Sequence, residues 1–335
     1  MSFLWLDSFD HYTSLASKYE GAGASCSIVQ GFARTGLQCV NIQGGFNFLK
    51  VVRQTQDVLV ATMYNANGSS GACCSLGNEG NSDPQGVCVN ADINGDGSIS
   101  AKRGTSAGNL LLGTSAPGVY KFGVYNSVAL RATIGVAARV RIYCNGVLVL
   151  DLNGVTTVNN HNPARTYIDA VSWDGGLVTV FHDDVYALDC TDAIHNTYLG
   201  ALRMYYGVPT ADAAVQFTPS IAPPNYQQVN EVPPNENTIF NSSDTVGQAD
   251  QYVYPFPGSI PPVSTLFCVQ HCLDMEVANG SRQVTSDIGG VLNANPVALA
   301  GGYKIDAFQY DLNPVTGLAW TAADFPVQAG PAVTG

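Results

Sequence analysis

The sequence is poor in charge, and poorest in positive charge. Charged residues make up 12% of the 335 residues, and 14 Lys and Arg against 26 Asp and Glu give a net charge of −12. A nucleic-acid-binding protein needs clustered cations to displace counterions from phosphates, and the densest cationic stretches here are only 131–141 and Lys102-Arg103. We therefore expect no nucleic-acid partner. Because helical surfaces usually carry Lys and Glu, the scarcity of charge also argues against a mainly helical protein.

Long apolar runs are missing as well. No run in the sequence approaches the roughly 18 apolar residues of a membrane-spanning helix, so we expect no membrane partner. The N-terminus reaches Asp7 without the cationic leader and long apolar region of a signal peptide. This pattern predicts synthesis and folding in a cytosol.

The sequence lacks the signatures of common enzymes. Gly-x-Ser-x-Gly, the Walker loop and His-Glu-x-x-His do not occur, and no acid-x-acid pattern in a strand supplies the facing carboxylates that a glycosidase needs. The triplet His182-Asp183-Asp184 joins an imidazole to two carboxylates, but adjacent residues in a strand face opposite ways. We interpret it as a strand end with its polar side chains outward, and we predict that the chain is not an enzyme.

Strand patterns dominate what is present. In 138–152, apolar residues alternate with polar ones up to Asn145-Gly146, and Asn-Gly between two strands is the strongest short-range signal for a two-residue hairpin with positive φ. Asn153-Gly154 predicts a second turn. Stretches 167–173 and 177–188 predict another strand–turn–strand unit. Short strands with closely spaced turns predict a sandwich or barrel.

Three other segments have a distinct composition. Segment 65–86 is rich in Gly, Ser, Asn and Cys, which predicts a long loop and a contact surface. Segment 11–19, following Asp10, is predicted to be one short helix. Segment 209–234 contains repeated prolines, which block helix and central strand, so an extended connector is expected there. We place the domain boundary at its start, with one domain at 1–208 and a connector with a C-terminal β domain at 209–335.

One stretch matches the opening of a calcium-binding loop. Asp92, Asn94 and Asp96 follow the Asp-x-Asn-x-Asp-Gly spacing, in which alternating oxygens converge on the ion while Gly97 makes the sharp turn. The twelfth position should be a bidentate acid, but it is Arg103, whose charge would repel calcium. We favour a hairpin turn before a strand, and calcium bound at these three residues with a distant acid stays open. No other cofactor is expected.

The 9 cysteines show no repeated zinc-type spacing. In a strand, Cys268 and Cys272 would share a face while His271 points away, which favours buried thiols over a metal site. Cys73 and Cys74 lie in the Gly/Ser/Asn-rich segment and are expected to be exposed. Disulfides or interface contacts of these four cysteines, formed after release from a reducing cytoplasm, are a hypothesis.

An ordered series of segments follows one pattern along the chain: 6–12, 140–150, 156–157, 183–189, 198–203, 209–212, 217–219, 225–231, 233–235, 242–243, 250–252 and 311–321. This series resembles tailed-bacteriophage virion proteins. The N-terminal segments resemble their concanavalin A-like jelly rolls, and the later segments resemble a signature of tailed-phage structural proteins. Ala201 and Phe217 depart from that signature, which usually has an acid and a Trp there.

The resemblance implies an all-β protein, with a concanavalin A-like jelly-roll sandwich followed by a second, smaller β-sandwich module. It implies a structural component of the virion, in the tail or baseplate, that acts through contacts with other virion proteins and with copies of itself. It implies no catalytic residues. Two alternatives stay open: a head or neck decoration protein that stabilises the capsid, and a glycan-binding or glycan-cleaving protein that contacts a host surface glycan.

Overall fold

The structure is a computed structural model in which the chain folds as two compact units. Unit 1 comprises Met1–Asp10 and Ser14–Met204, and unit 2 comprises His11–Thr13 and Tyr205–Gly335. The division predicted between residues 208 and 209 stays a prediction. The described residues are 2–44, 47–68, 71–77, 87–104, 110–158, 165–176, 178–222, 224–232, 234, 238–258, 260–261, 264–277, 281–299 and 301–335.

The described part of unit 1 contains strands β1 to β15 and a 3-10 helix at Leu15–Ser17. The strands are β1 (Phe3–Asp7), β2 (Gly21–Ala22), β3 (Cys26–Gln30), β4 (Gln38–Ile42), β5 (Asn47–Thr55), β6 (Asp57–Ala66), β7 (Gly71–Gly77), β8 (Val87–Ile93), β9 (Ile99–Arg103), β10 (Leu110–Thr114), β11 (Asn126–Thr133), β12 (Ala138–Cys144), β13 (Val147–Val155), β14 (Ile168–Asp174) and β15 (Val180–Asp189).

These strands form two antiparallel sheets. The seven-stranded sheet has the order β10-β9-β8-β7-β14-β5-β2, and the eight-stranded sheet has the order β13-β12-β11-β6-β15-β4-β3, with β1 paired to β15. The inner faces pack on each other: Trp173 of β14 stacks on Phe48 at 5.2 Å between ring centroids and donates its indole N–H to the Ala61 carbonyl of β6 at 3.2 Å. Two sheets sharing one core make a β-sandwich, so the predicted all-β jelly-roll fold is confirmed.

Unit 2 is built around a six-stranded sheet of order β16-β19-β25-β21-β22, with β23 paired to β21, and two two-stranded pairs, β17-β18 and β20-β24. It also has 3-10 helices at Asn225–Gln228 and Ala322–Asp324. The strands are β16 (Ala211–Ala214), β17 (Thr218–Pro219), β18 (Asn241–Ser242), β19 (Gln251–Tyr254), β20 (Val269–Met275), β21 (Gln283–Ile288), β22 (Val291–Leu292), β23 (Val297–Ala298), β24 (Lys304–Tyr310) and β25 (Val327–Val333). Its core contains Leu273, Val284, Ile288, Phe308, Tyr310, Trp320, Val327 and Ala329.

One buried carboxylate joins separate segments of the phage-like series. Asp250 accepts the backbone N–H groups of Gln216 and Phe217 on Oδ1, at 2.7 and 2.8 Å. Its Oδ2 accepts the Tyr252 hydroxyl at 2.6 Å and the Asn225 amide at 3.1 Å. A buried carboxylate is stable only when hydrogen bonds replace its hydration, so these segments depend on each other for their conformation.

The hairpin predicted at Asn145-Gly146 is confirmed, and the second turn is wrong. Asn145 and Gly146 have φ of 50° and 85° between β12 and β13. Gly154, with φ of 72°, lies inside β13. The pairing register shifts there, from Ala138 opposite Val155 to Arg139 opposite Asn153. Gly154 therefore forms a β-bulge, which uses the same positive φ as a turn.

The predicted helix at 11–19 is wrong beyond a single 3-10 turn at Leu15–Ser17. Asp10 was expected to cap it, but its Oδ1 accepts the backbone N–H groups of Leu37 and Gln38 at 2.7 and 2.9 Å. The Asp10 carboxylate therefore connects two segments that are distant in sequence. The 3-10 turn at Leu15–Ser17 has no side-chain cap at its start.

The long loop predicted at 65–86 is wrong for its described middle part. Gly71–Gly77 is β7, which lies between β8 and β14 near the middle of the seven-stranded sheet. The part of that prediction on 69–70 and 78–86 lies outside the described residues. The two strands predicted at 167–173 and 177–188 are confirmed as β14 and β15, although they belong to opposite sheets.

Candidate functional site

The outer face of the eight-stranded sheet is covered by the end of unit 1. Tyr198 stacks on Tyr143 with ring centroids 4.7 Å apart. Arg131, which pairs with Asp57 at 2.6 Å, also donates to the carbonyl of Asn196 at 2.7 Å. A ligand is therefore better accommodated by the other sheet of the sandwich.

The outer face of the seven-stranded sheet carries two rows of mostly polar side chains that cross its strands. Residues directly opposite each other in antiparallel strands point to the same face, and successive residues point to opposite faces. Since Trp173 points into the core, Ser172 points outward with its partners. The first row, named the Ser75 row, runs from β5 to β10 through Leu49, Ser172, Ser75, Asn90, Lys102 and Leu111.

The second row lies two residues further along β14 and β8, on the same face of the sheet. Trp173 and Ala91 both lie opposite Cys74, so the residues that follow them, Asp174 and Asp92, lie in one row. We name this the Asp92 row. It consists of Asn47, Asp174, Asp92, Ser100 and Thr114.

The centre of both rows is buried and incompletely hydrogen-bonded. Asn90 and Asp92 are each 6% exposed. The Oδ1 atoms of both have no hydrogen-bond partner within the part of the chain that the structure describes. Leaving a buried acceptor unsatisfied costs about 1–3 kcal/mol, and native proteins rarely do so without a water, ion or ligand nearby. These two oxygens can accept hydrogen bonds from a group outside the described residues, such as a water or a polar ligand.

The two carboxylates of the Asp92 row have different surroundings. Burial, together with the nearby charge of Asp92, raises the pKa of Asp174, although the Ser75 hydroxyl donates to its Oδ2 at 2.6 Å and opposes this shift. Asp92 forms an ion pair with the ammonium group of Lys102. The face therefore combines a carboxyl group that retains its proton more readily with a carboxylate that is paired with a cation.

The remaining members of the rows bond to one another. Ser100 Oγ lies 2.9 Å from Thr114 Oγ1 and accepts the side-chain amide of Asn94 at 2.8 Å. Short hydroxyl, amide and carboxylate groups at regular spacing can exchange hydrogen bonds with a ligand that itself carries many hydroxyls. Leu111, 57% exposed, adds an apolar border to one end of the Ser75 row.

The three residues of the predicted calcium loop have separate protein partners. Asp92 pairs with Lys102, the Asn94 amide donates to Ser98 at 2.9 Å, and Asp96 accepts the Ser98 N–H at 2.9 Å. The favoured hairpin turn between β8 and β9 is confirmed. Across the described ranges, no group of three or more His, Cys, Asp and Glu residues is arranged to hold a metal ion. Calcium binding by these residues stays a prediction.

The prediction that Cys73 and Cys74 are exposed is wrong. Both are fully buried because they lie on a central strand, and their Sγ atoms are 3.8 Å apart. Cys268 and Cys272 are half-buried near β20. Between them, His271 is buried and its Nδ1 lies 2.7 Å from Ser286 Oγ. Disulfides or interface contacts of these cysteines stay a prediction.

The outward orientation predicted for His182, Asp183 and Asp184 is wrong, because all three are buried. His182 lies in the core with Nδ1 2.9 Å from Thr62 Oγ1. The pairing register shifts between Asp183 and Tyr186, and Asp184 has φ of 45°. This bulge breaks the two-residue alternation from which the outward orientation was predicted.

The sequence predictions missed Ser75, Asn90 and Asp174 as a site. A usable signal was present in β8, where Asn90 and Asp92 alternate with the apolar Val89 and Ala91. That alternation indicates a strand with one polar face.

No family model matches the chain, and no curated protein matches it. Solved structures show a limited likeness. An endo-β-1,4-glucuronan lyase from the fungus Trichoderma reesei has a TM-score of 0.38 at 10% identity, covering 54% of this chain and 95% of that one. A carbohydrate esterase from the Shiga toxin-encoding bacteriophage phi24B has 0.36 at 11%, covering 55% and 99%. An alginate lyase has 0.35 at 16%, covering 56% and 95%.

These TM-scores are low, so the fold class depends on the strand order of the chain itself. The expectation that the chain is not an enzyme is nevertheless corrected, because the similar structures include two polysaccharide lyases and a carbohydrate esterase. In the described residues, no helix is long and apolar enough to cross a membrane.

Proposed function

We propose that unit 1 binds an uncharged glycan chain across the Ser75 and Asp92 rows of the seven-stranded sheet. The observation that carries the proposal is a pair of buried acceptors, on Asn90 and Asp92, in the middle of a face made of short polar side chains. Neither acceptor has a hydrogen-bond partner among the described residues. Hydroxyl groups of a sugar can donate to both acceptors and so remove the cost of their burial.

The negative charge on this face is expected to disfavour acidic glycans. The rows contain two acidic side chains, Asp92 and Asp174, and one cation, Lys102, which is already paired with Asp92. A polysaccharide of uronic acids would bring further carboxylates to a face with no spare positive charge, and like charges brought together oppose binding. We therefore expect neutral glycans to bind better than acidic ones.

Binding is tested by titrating the full chain with amylose, laminarin, galactomannan and alginate in a calorimeter. Asn90→Ala should weaken binding of the preferred neutral glycan by about tenfold, which corresponds to one lost hydrogen bond of about 1.4 kcal/mol. Asn153→Ala, at an exposed position of the edge strand β13, is the matched control and should bind like the wild type. Equal affinities of Asn90→Ala and wild type, or no binding of any neutral glycan at millimolar concentration, would refute the proposal.

A second proposal concerns where the protein acts. We propose that the chain is a virion component that contacts other virion proteins and copies of itself, in the tail or baseplate or as a head or neck decoration. Support comes from the Asp250 network, in which Phe217, Asn225 and Tyr252 of the phage-like series share one buried carboxylate. Immunogold labelling of intact particles tests it, and particles that carry no label on tail, neck or head would count against it.

A further inference from the structure

We propose that Asp174 and Asp92 form a catalytic acid–base pair that hydrolyses a glycosidic bond of the bound glycan. This inference rests on the proposed function, since it needs the glycan to lie along the Asp92 row. It goes beyond binding because it gives two side chains opposite chemical roles at one bond.

The spacing of the two carboxyl groups follows from the sheet. Asp174 lies on β14 and Asp92 on β8, with β7 between them, so two strand spacings of about 4.8 Å separate their backbones by roughly 10 Å. The Asp174 carboxyl group reaches toward the intervening strand, where Ser75 donates to its Oδ2 at 2.6 Å, so the carboxyl groups are closer than the backbones. This brings them toward the separation of about 6.5–9.5 Å in inverting glycosidases, which leaves room for the sugar ring and an attacking water. Retaining enzymes need about 5 Å, which neighbouring strands would supply and these two strands do not.

The surroundings assign the two roles. Asp174 is held by the Ser75 hydroxyl on Oδ2, and its burial favours the protonated form, which a general acid requires. Asp92 pairs with the Lys102 ammonium group through Oδ2, while its buried Oδ1 has no partner among the described residues and can accept a proton from water. Asn90, in the neighbouring row, offers a second buried acceptor for a sugar hydroxyl.

The reaction is a redox-neutral hydrolysis. Asp174 donates its proton to the glycosidic oxygen while the bond from that oxygen to the anomeric carbon breaks and its electron pair moves to the oxygen. Water attacks the anomeric carbon from the opposite side, and Asp92 accepts the proton that the water loses. The products are two shorter glycans, one with an inverted anomeric hydroxyl, and solvent returns the proton from Asp92 to Asp174.

The test measures reducing ends released by the full chain from amylose, laminarin and galactomannan, together with glycan binding. The wild type should cleave the neutral glycan that it binds, with an inverted product seen by proton NMR. Asp174→Asn and Asp92→Asn should each lose about 100-fold or more of the cleavage rate and still bind glycan. Asp151→Asn, at an exposed carboxylate paired with Arg139 on the other sheet, is the matched control and should cleave normally.

A third variant covers the case in which the Asp174 substitution prevents folding. Since the Ser75 hydroxyl lowers the pKa of Asp174, Ser75→Ala should move the alkaline limb of the cleavage rate to higher pH. An unmoved limb, a retained anomeric configuration, or unaffected cleavage by Asp174→Asn overturns the inference. Wild type that binds glycan without cleaving it overturns the inference alone, and wild type that binds no glycan overturns the proposed function with it.

Discussion

At the residue scale, this charge-poor chain buries two neighbouring carboxylates against a single cation. Asp183 Oδ2 accepts the backbone N–H groups of Arg34 and Thr35, at 2.7 and 3.0 Å. Asp184 accepts the Arg34 guanidinium at 2.9 Å and the N–H of Met204 at 3.0 Å. The pair fastens the segment at 34–35 and the last residue of unit 1 to β15.

Protonation of this pair makes stability depend on pH. Burial and the adjacent Asp184 raise the pKa of Asp183 to about 8, against 3.8 as the ordinary value. The folded state thus keeps a proton that the unfolded state releases, so the stabilisation is complete below about pH 4 and is lost as the pH rises to about 8. Cys39 and Tyr125, which also face the pair, stay neutral because burial raises the pKa of both. Burial lowers the pKa of His182 to about 3, which destabilises the fold only below about pH 6.5.

We therefore expect the free energy of unfolding to fall between pH 6.5 and 8, by up to about 1.4 kcal/mol per pH unit. Urea denaturation at several pH values measures it. Asp183→Asn should flatten this slope, and Asp151→Asn, whose carboxylate is exposed, should leave it unchanged. A slope that persists in Asp183→Asn would show that other groups cause it.

Residue-level prediction from the sequence failed where strands bulge. Side-chain direction was predicted from two-residue alternation, which places Asp183 and Asp184 on opposite faces, but a bulge beside them breaks the alternation. Asp92 was singled out for its calcium-like spacing, whereas its neighbours across the sheet define its chemistry. Asp174 was interpreted as a turn residue, and its partner Asp92 is too distant in sequence for any local pattern to connect them.

At the element scale, the β12–β13 hairpin is the part of the fold that local sequence specifies best. Asn145-Gly146 adopts the positive φ that its turn type requires. By contrast, the turn between β14 and β15 resembles a hairpin in sequence, although the two strands lie in opposite sheets. Turn composition indicates that the chain reverses, and only packing decides which sheet receives the next strand.

Gly146 gives this hairpin a sharp test. Its φ is 85° and a Cβ there would meet nothing within 4 Å, so Gly146→Ala carries only the backbone penalty of about 1–2 kcal/mol. Gly135 has equal space and no left-handed φ, and Gly135→Ala is the matched control. We expect chemical denaturation to show a loss of about 1–2 kcal/mol for Gly146→Ala and little or none for the control. Equal losses would mean that the turn does not require glycine.

At the scale of the whole molecule, composition and strand patterning together predicted the fold class. Low charge, high glycine content and short alternating runs predicted an all-β chain, and both units are built from sheets. Composition does not specify which outer face stays available for a ligand, because that depends on where the segment at 190–204 returns across unit 1. The alternation in β8 could therefore have predicted one polar strand face, but not that this face stays available for a ligand.

The cysteines give a prediction for the whole chain. Six of the nine are buried, and Cys26, Cys268 and Cys272 are half-buried. Burial also raises the pKa of Cys26 to about 11, which keeps its reactive thiolate scarce. We expect no more than these three thiols to react with Ellman's reagent in the native reduced chain, and all nine in denaturant. Rapid native reaction of Cys73 or Cys74, identified by peptide mapping, would contradict their burial.

The two sheets of unit 1 differ in their outer faces, and this difference has a practical consequence. The exposed tip at Asn145 to Leu148 belongs to the sheet whose outer face is already covered, and exposed loop tips tolerate insertions well. A fluorophore or biotin acceptor peptide placed there would tether the protein to a sensor chip while the seven-stranded sheet remains presented to the flowing sample.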